Sequence, residues 1–414
     1  MSFSVIFILW LEILFAAVLL RRADVLKTRT AWVVAVTLLL VAFAARLLAL
    51  RYETLDYKDF LSDWVQYYRS NGGLRALGRP VGNYNVPYLF LLALFSYSSI
   101  PDLYLIKLCS IFFDVVAAWG AMRLVSRFTE NPLRRAGTFF AVLYLPTVFL
   151  NGAFWGQCDV IYAAFLLHAL ADGLEGRSAR CVVFLALAFG FKLQAIFVMP
   201  VFALLLFMGK LRVKHLPLFP LTYVLLILPA VLAGRPFWET LTLYFSQTGS
   251  IGSGLNYNSS SVYALIGQAR DAEAAASGGI FAAFFFILLL LCIALYFHRR
   301  LNDRLVLLAA VLFAIGVPFL LPHMHDRYFF AADLLTLTLA FAFPVTAPVA
   351  ALTQFASLLG YYAYLVMRYL LLMSHGARAL LLALFPLAVY FVHCLKSGDE
   401  PFSEEKTQPG KKIS

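Results

Sequence analysis

Apolar runs of roughly 20 residues, the length that crosses a bilayer as an upright helix, recur along the chain and are broken by short polar segments. The runs at 3–20, 31–50, 102–126, 136–151, 158–173, 178–194, 195–209, 216–234, 279–298, 303–321, 328–344, 346–366 and 378–395 predict about 11–13 spans. The neighbouring runs 178–194 and 195–209 are short, and read as broken or re-entrant helices. None of the runs alternates with period two, so a β-barrel is not expected. The first run has no basic segment before it and no small-residue cleavage site after it. Arg21 and Arg22 follow it directly, so it reads as a retained helix rather than a signal peptide.

Composition narrows the class. The 414 residues are 62% hydrophobic and 13% charged, with mean hydropathy +0.83. In hydrocarbon each segment must satisfy its own backbone hydrogen bonds, so the expected fold is all-α: a polytopic transmembrane helical bundle. Residues 1–395 form one membrane unit, and the polar tail 396–414 is expected to be a disordered cytoplasmic extension. The five cysteines lie scattered, mostly inside apolar runs, with neither metal-ligand spacing nor a disulfide framework.

The formal charge of +11 would suit nucleic acid, but its distribution argues for topology instead. Lys and Arg concentrate in 21–29, 127–135, 177–180, 210–214, 299–304 and the tail, which the positive-inside rule places in the cytoplasm. The aromatic-rich polar segments 51–101, 151–159, 191–194, 235–278 and 322–328 then all fall on the outer face. A multi-pass protein of a bacterial inner membrane with an outward-facing site is expected, and no nucleic-acid partner.

Candidate chemistry gathers on that face. Segment 51–101 is a juxtamembrane, partly helical outer loop with Glu53, Asp56, Asp59 and Asp63 set among Tyr57 and Trp64. The i, i+3, i+7 spacing of Asp56, Asp59 and Asp63 puts them on one helical face, as a general base in a partly desolvated setting or as a solvated acidic face. The apolar stretch 86–97, opened by Pro87, is too short to span and is expected to lie along the interface, with Tyr84, Tyr88 and Tyr97 at headgroup depth. The Gly-, Ser- and Asn-rich part of 235–278 suggests a lid, and contains the sequon Asn258-Ser259-Ser260. His323, His325, Asp326 and Arg327 suit a metal site with Asp56 and Asp59, a phosphate site, or a helix cap with interfacial histidines. Lys192, beside Gln194, is either functional or snorkelling. Trp155 and Gln157 suit a sugar or an aromatic belt. Asp114, two turns from Lys107, reads as a structural ion or hydrogen-bond partner. No nucleotide-binding loop, metalloprotease motif or nucleophile elbow occurs, so a phosphate-linked substrate would be a lipid.

Five of these motifs in order carry a resemblance. Asp56-Tyr57, Asn83-Tyr84-Asn85-Val86-Pro87-Tyr88, Trp155-Gly156-Gln157-Cys158-Asp159, Phe191-Lys192-Leu193-Gln194 and Met324-His325-Asp326-Arg327-Tyr328 resemble the GT-C glycosyltransferases. The similarity is to the bacterial relatives of the GPI-anchor second-mannose transferase, and it covers roughly 45–345 of the chain. It implies a polyprenyl-phosphate-linked hexose donor, most often mannose or glucose, and a lipid or glycan acceptor. Asp56 matches the catalytic base, with Asp59 and Asp63 as weaker matches. His325, Asp326 and Arg327 resemble the motif near the donor phosphate, where Lys192 and Tyr328 are also expected. Asn83, Tyr84, Asn85, Tyr88, Trp155, Gln157, Asp159, Gln194 and His323 are expected around the sugar and acceptor. The run Asn83-Tyr84-Asn85-Val86-Pro87-Tyr88 resembles the Asp-Tyr-Pro-Pro-type segment of the lumenal glucosyltransferases with Asn in place of the acid, which removes a possible second carboxylate. No cofactor is expected, and a divalent metal is admissible but not expected.

The implied reaction is direct displacement with inversion, with Asp56 as general base and Arg327, His325 and Lys192 stabilising the leaving phosphate. The competing classes are a lipid-linked sugar flippase or transporter, with chemistry near the midplane, and an O-antigen-type polymerase.

Overall fold

The apolar runs close their hydrogen bonds within themselves and then sort by burial. The computed structural model describes residues 3–248, 254–267, 271–399 and 401–402. Seven of its helices are long and apolar enough to cross a membrane: Phe3–Arg22, Arg29–Ala49, Asp102–Val125, Val213–Leu232, Ala272–Tyr296, Asp303–Leu320 and Met373–Ser397. An eighth is added if Pro132–Tyr144 and Pro146–Trp155, bent by 45°, count as one span. Pro146 lacks the amide hydrogen a continuous helix needs there, and Leu145 before it is extended. The chain is thus an all-α multi-pass bundle, with fewer full-length spans than the expected 11–13. The difference lies in shorter helices. Asp159–Leu174 is buried along almost its whole length, and the 178–209 region is broken into Ser178–Phe191, a 3-10 turn Leu193–Phe197 and Val201–Phe207.

Asp303–Leu320 and Asp102–Val125 form the inside of the bundle, with 83% and 67% of their apolar windows buried. Val213–Leu232 and Ala272–Tyr296 leave most of their apolar surface outward, as lipid-facing helices do. One apolar cluster runs from Val5 to Leu395.

Two buried polar contacts fix where the site is built. The Arg46 Nε donates to Asp114 Oδ2 at 3.0 Å, and both side chains are inaccessible. Asp114 therefore pairs across helices with Arg46, not along its own helix with Lys107. Lys107 instead donates to the carbonyls of Ala49 (3.0 Å) and Tyr52 (2.6 Å), satisfying the open C-terminal end of Arg29–Ala49. Together they clamp Arg29–Ala49 to Asp102–Val125 and deliver the chain into Asp56.

Segment 51–101 is helical: a π turn Tyr57–Leu61, helix Ser62–Ser70, a 3-10 stretch Gly73–Gly78 and helix Val86–Phe95. Val86–Phe95 packs into the protein rather than along its surface. Tyr88 is buried and Tyr84 faces a cavity, so of the three tyrosines expected at headgroup depth only Tyr97 is exposed.

Among the described residues the sole sheet is a parallel bridge, Asn256–Tyr257 on Met324–His325. His323, at φ 62, donates its amide to Leu255 O, and Val262 donates to Phe319 O, so 254–262 is pinned over the bundle end as a roof. Residues 249–253 and 268–270 of the expected lid lie outside the described residues. So do 400 and 403–414 of the expected tail. Its first residues, Lys396 and Ser397, complete the last helix, and Phe402 stacks on Phe343.

Candidate active site

Asp56 opens the π turn Tyr57–Leu61 at the edge of a cavity of about 370 Å3. Its Oδ2 accepts from Trp155 Nε1 at 2.9 Å and from Gln157 Nε2 at 2.5 Å. Its backbone N–H donates to the Tyr364 hydroxyl, and the Tyr364 ring stacks on Trp155 with centroids 4.1 Å apart. Both donors are neutral, so the carboxyl group is oriented by hydrogen bonds that do not tie it to a cation.

Trp155 and Gln157 are placed by a second π turn, Leu150–Trp155, which ends at Gly156 in a left-handed conformation (φ 85). A non-glycine residue there would be strained. The turn hands the chain to Asp159, the first residue of Asp159–Leu174, where an acid also suits the helix N-terminus.

Arg327 arrives from the turn between the Met324–His325 bridge and helix Phe330–Ala342. Its guanidinium sits over the Trp155 ring at 5.3 Å, with Nη1 at 4.0 Å from Asp56 Oδ2 and 3.6 Å from Asp326 Oδ1, and Nε at 3.5 Å from Asp159 Oδ2. The buried Nε has no hydrogen-bond partner among the described residues, so these contacts hold by charge. Behind the cavity, Asp159 accepts from Lys192 Nζ at 2.5 Å and from Asn151 Nδ2 at 2.9 Å, and Asn151 also reaches the Tyr361 hydroxyl. Lys192 stands at the break between Ser178–Phe191 and Leu193–Phe197, with its ammonium over the Tyr84 ring at 5.6 Å. Tyr84 donates to Gln157 Oε1, linking this buried layer back to Asp56.

Burial pushes Asp326 up to about 7, against the pull of Arg327. Burial pushes His325 down to about 4, helped by Arg327 and Lys192. His325 is therefore a neutral imidazole near neutral pH, stacked on Tyr257 with centroids 4.7 Å apart, rather than a cation.

The cavity brings together Asp56, Asn83, Tyr84, Gln157, His325, Asp326 and Arg327 from the expected set. Trp155, Asp159 and Lys192 stand immediately behind these. Asp59 and Asp63 do not join them: both are exposed and line no part of the cavity. The single helical face expected for the three acids fails because the π turn, with its i→i+5 bonds, winds wider than an α-helix and rotates Asp59 off the face of Asp56. Asn85 caps Val86–Phe95 through its Oδ1 and gives its Nδ2 to Gly190 O and the Tyr223 hydroxyl, so its side chain is spent on structure. Tyr88 packs against Tyr84, Tyr328 against His325, and neither lines the cavity. Gln194 leaves Oε1 buried with no hydrogen-bond partner among the described residues, away from the lining. His323 holds the roof, its Nδ1 2.7 Å from Gly254 O.

Sequence reasoning did not single out Phe60, Tyr257 or Tyr364, and it named Asn258 only as part of the sequon; all four line the cavity. The sequon is folded in, with Ser259 and Ser260 buried and Asn258 Oδ1 accepting from Tyr369. Among the described residues no cluster of three or more His, Cys, Asp or Glu could hold a metal ion. What the site offers is one carboxylate held by neutral donors, a guanidinium beside it, and a second buried cation already paired with Asp159.

No known protein-family model matches the chain, and no curated protein matches it.

Proposed function

We propose that the protein is a membrane hexosyltransferase of GT-C type. It moves a hexose, mannose in the leading reading, from a polyprenyl-phosphate donor to a hydroxyl of a lipid or glycan acceptor on the extracytoplasmic face. The observation that carries this is the placement of Asp56 at the N–H edge of Trp155 and Arg327 over its ring face, 4.0 Å apart, at the mouth of a cavity in a multi-pass bundle. The proposed step is a single displacement. The acceptor oxygen attacks the anomeric carbon, its proton passes to Asp56, and the bond to the phosphate oxygen breaks with inversion. Arg327 takes up the charge that grows on the leaving polyprenyl phosphate, with neutral His325 as a hydrogen-bond partner. Lys192 acts from behind, through Asp159, rather than on the phosphate itself.

The test is release of polyprenyl phosphate by purified protein from synthetic short-chain polyprenyl-phosphate mannose or glucose, with and without EDTA, alongside Asp56→Ala. Release that needs Asp56 and survives EDTA supports the reading and names the donor. Absence of both turnover and donor binding rejects it in favour of a transporter.

A further inference from the structure

Residues 366–372 join helix Ala347–Leu365 to Met373–Ser397. Six of the seven are large and apolar, and all six are exposed, from 43% for Leu371 to 69% for Met367. The seventh, Arg368, is exposed too and pairs with no acid among the described residues. A contiguous apolar loop of this kind is not stable facing water. Its occupant is indicated by continuity. Met373–Ser397 is one of the membrane-length helices, and its own outward side chains Leu381, Leu382, Phe385 and Val389 are apolar and exposed. Tyr369 and Arg368 set among leucines match the composition that sits at the headgroup boundary of a bilayer.

The loop is also attached to the candidate site. Tyr364, two residues before it, lines the cavity. The Tyr369 hydroxyl donates to Asn258 Oδ1 at 2.6 Å, and Asn258 lines the cavity as well. On the Asp56 side, Tyr52, Leu55 and Phe60 are exposed apolar residues, and Phe60 reaches the lining. The cavity rim therefore carries two apolar edges.

We infer that 366–372 inserts into the adjoining leaflet and, with the Tyr52, Leu55 and Phe60 edge, forms a lateral portal through which an isoprenoid chain reaches the cavity. This rests on the proposed transferase reading for the identity of the lipid, but the insertion itself does not.

Two arms test it in vesicles of phosphatidylethanolamine and phosphatidylglycerol. The first places a nitroxide at Leu370→Cys in a Cys292→Ala background and compares its collisions with oxygen and with a water-soluble nickel chelate. The expected pattern favours oxygen over the nickel chelate, in the direction of a deeper lipid-facing label at Phe385→Cys though less far; the pattern of a water-exposed label at Arg79→Cys overturns the insertion. The second compares Leu370→Asp/Leu371→Asp with wild type on a long polyprenyl donor and on a short, water-soluble one. The long donor should show a KM raised roughly tenfold, with the short donor and kcat unchanged. No change, or an equal change for both donors, overturns the portal. If wild type turns over neither donor, the transferase reading and its portal fall together, and the label still decides insertion.

Discussion

Arg327 Nη1 stands 4.0 Å from Asp56 Oδ2, close enough to attract and too far to hydrogen-bond. Trp155 keeps them at that separation. Its Nε1 donates to Asp56 while its ring face takes the guanidinium. A bidentate Arg–Asp pair would occupy both groups, whereas this spacing leaves both open to a ligand, as the proposed transfer requires of a base and a phosphate-binding cation.

Asp56→Asn should therefore leave the donor bound and remove the base. Polyprenyl phosphate release is expected to fall roughly 10²–10⁴-fold in kcat, with donor KM little changed. A folded Asp56→Asn variant with normal turnover rules out the mechanism.

Gly360→Ala tests how the His325-Asp326-Arg327 turn is seated. A Cβ on Gly360 would stand 2.8 Å from the carbonyl oxygens of Asn258 and Asp326 and 3.1 Å from Asp326 Cα. Those are backbone atoms, so the turn itself must shift. Overpacking of this kind costs about 1–3 kcal/mol, and it should lower both the thermal midpoint and the affinity for donor. The control is Gly176→Ala, where a Cβ meets nothing within 4 Å and the site is distant, although its positive φ carries a strain of its own. Lowered stability with unaltered donor affinity would show that the turn does not position Arg327.

The bundle was legible because apolar runs of membrane length leave the backbone little choice but helix. The count of spans was less so, since Asp159–Leu174 and Ser178–Phe191 are short and packed against protein, and their hydropathy does not distinguish that from packing against lipid. In the site, the residues legible as chemistry were those whose polarity is costly in an apolar chain: Asp56, Lys192, Asp326 and Arg327. Asp59 misled because periodicity assumes 3.6 residues per turn, and the π turn at Tyr57–Leu61 obeys another period. Tyr364 and Tyr257 escaped because a tyrosine among apolar residues looks like core until a fold turns it toward a carboxylate or an imidazole. The Tyr361, Tyr362, Tyr364 cluster at a helix end was the one signal available.

Asp326 predicts a pH dependence with a definite sign. With burial holding it up at about 7, it is mostly neutral below that pH and ionised above it, 3.6 Å from Arg327. A phosphodiester donor does not titrate near neutrality, so its attraction to the site should weaken as pH rises through about 7. The measured quantity is kcat/KM for donor, which reports the free enzyme. It is expected to fall across that range in wild type and to stay near its low-pH value in Asp326→Asn. His325, lowered to about 4, remains neutral throughout and adds nothing. Stability runs the same way, because from about 4 to about 7 the folded protein holds a proton that the unfolded chain has released. A wild-type profile that rises through 7 contradicts the assignment.

The Asp159–Lys192 pair predicts a strongly non-additive cycle. Asp159 is fully buried and Lys192 nearly so, and their 2.5 Å contact joins the start of Asp159–Leu174 to the break after Ser178–Phe191. Asp159→Asn strands an ammonium in an apolar setting and should destabilise the protein by about 3–5 kcal/mol, as removal of one partner of a buried pair does. Lys192→Met strands less, because Asn151 and Arg327 still face the Asp159 carboxylate. In Asp159→Asn/Lys192→Met both charges are gone, and most of the loss should return. Activity need not return with it, since Arg327 would have lost the carboxylate 3.5 Å from its Nε. The cycle is read from thermal midpoints in detergent beside turnover on the same preparations. Additive losses in stability would show that the two charges do not depend on each other, and the buried layer behind the cavity would then have to be held by packing alone.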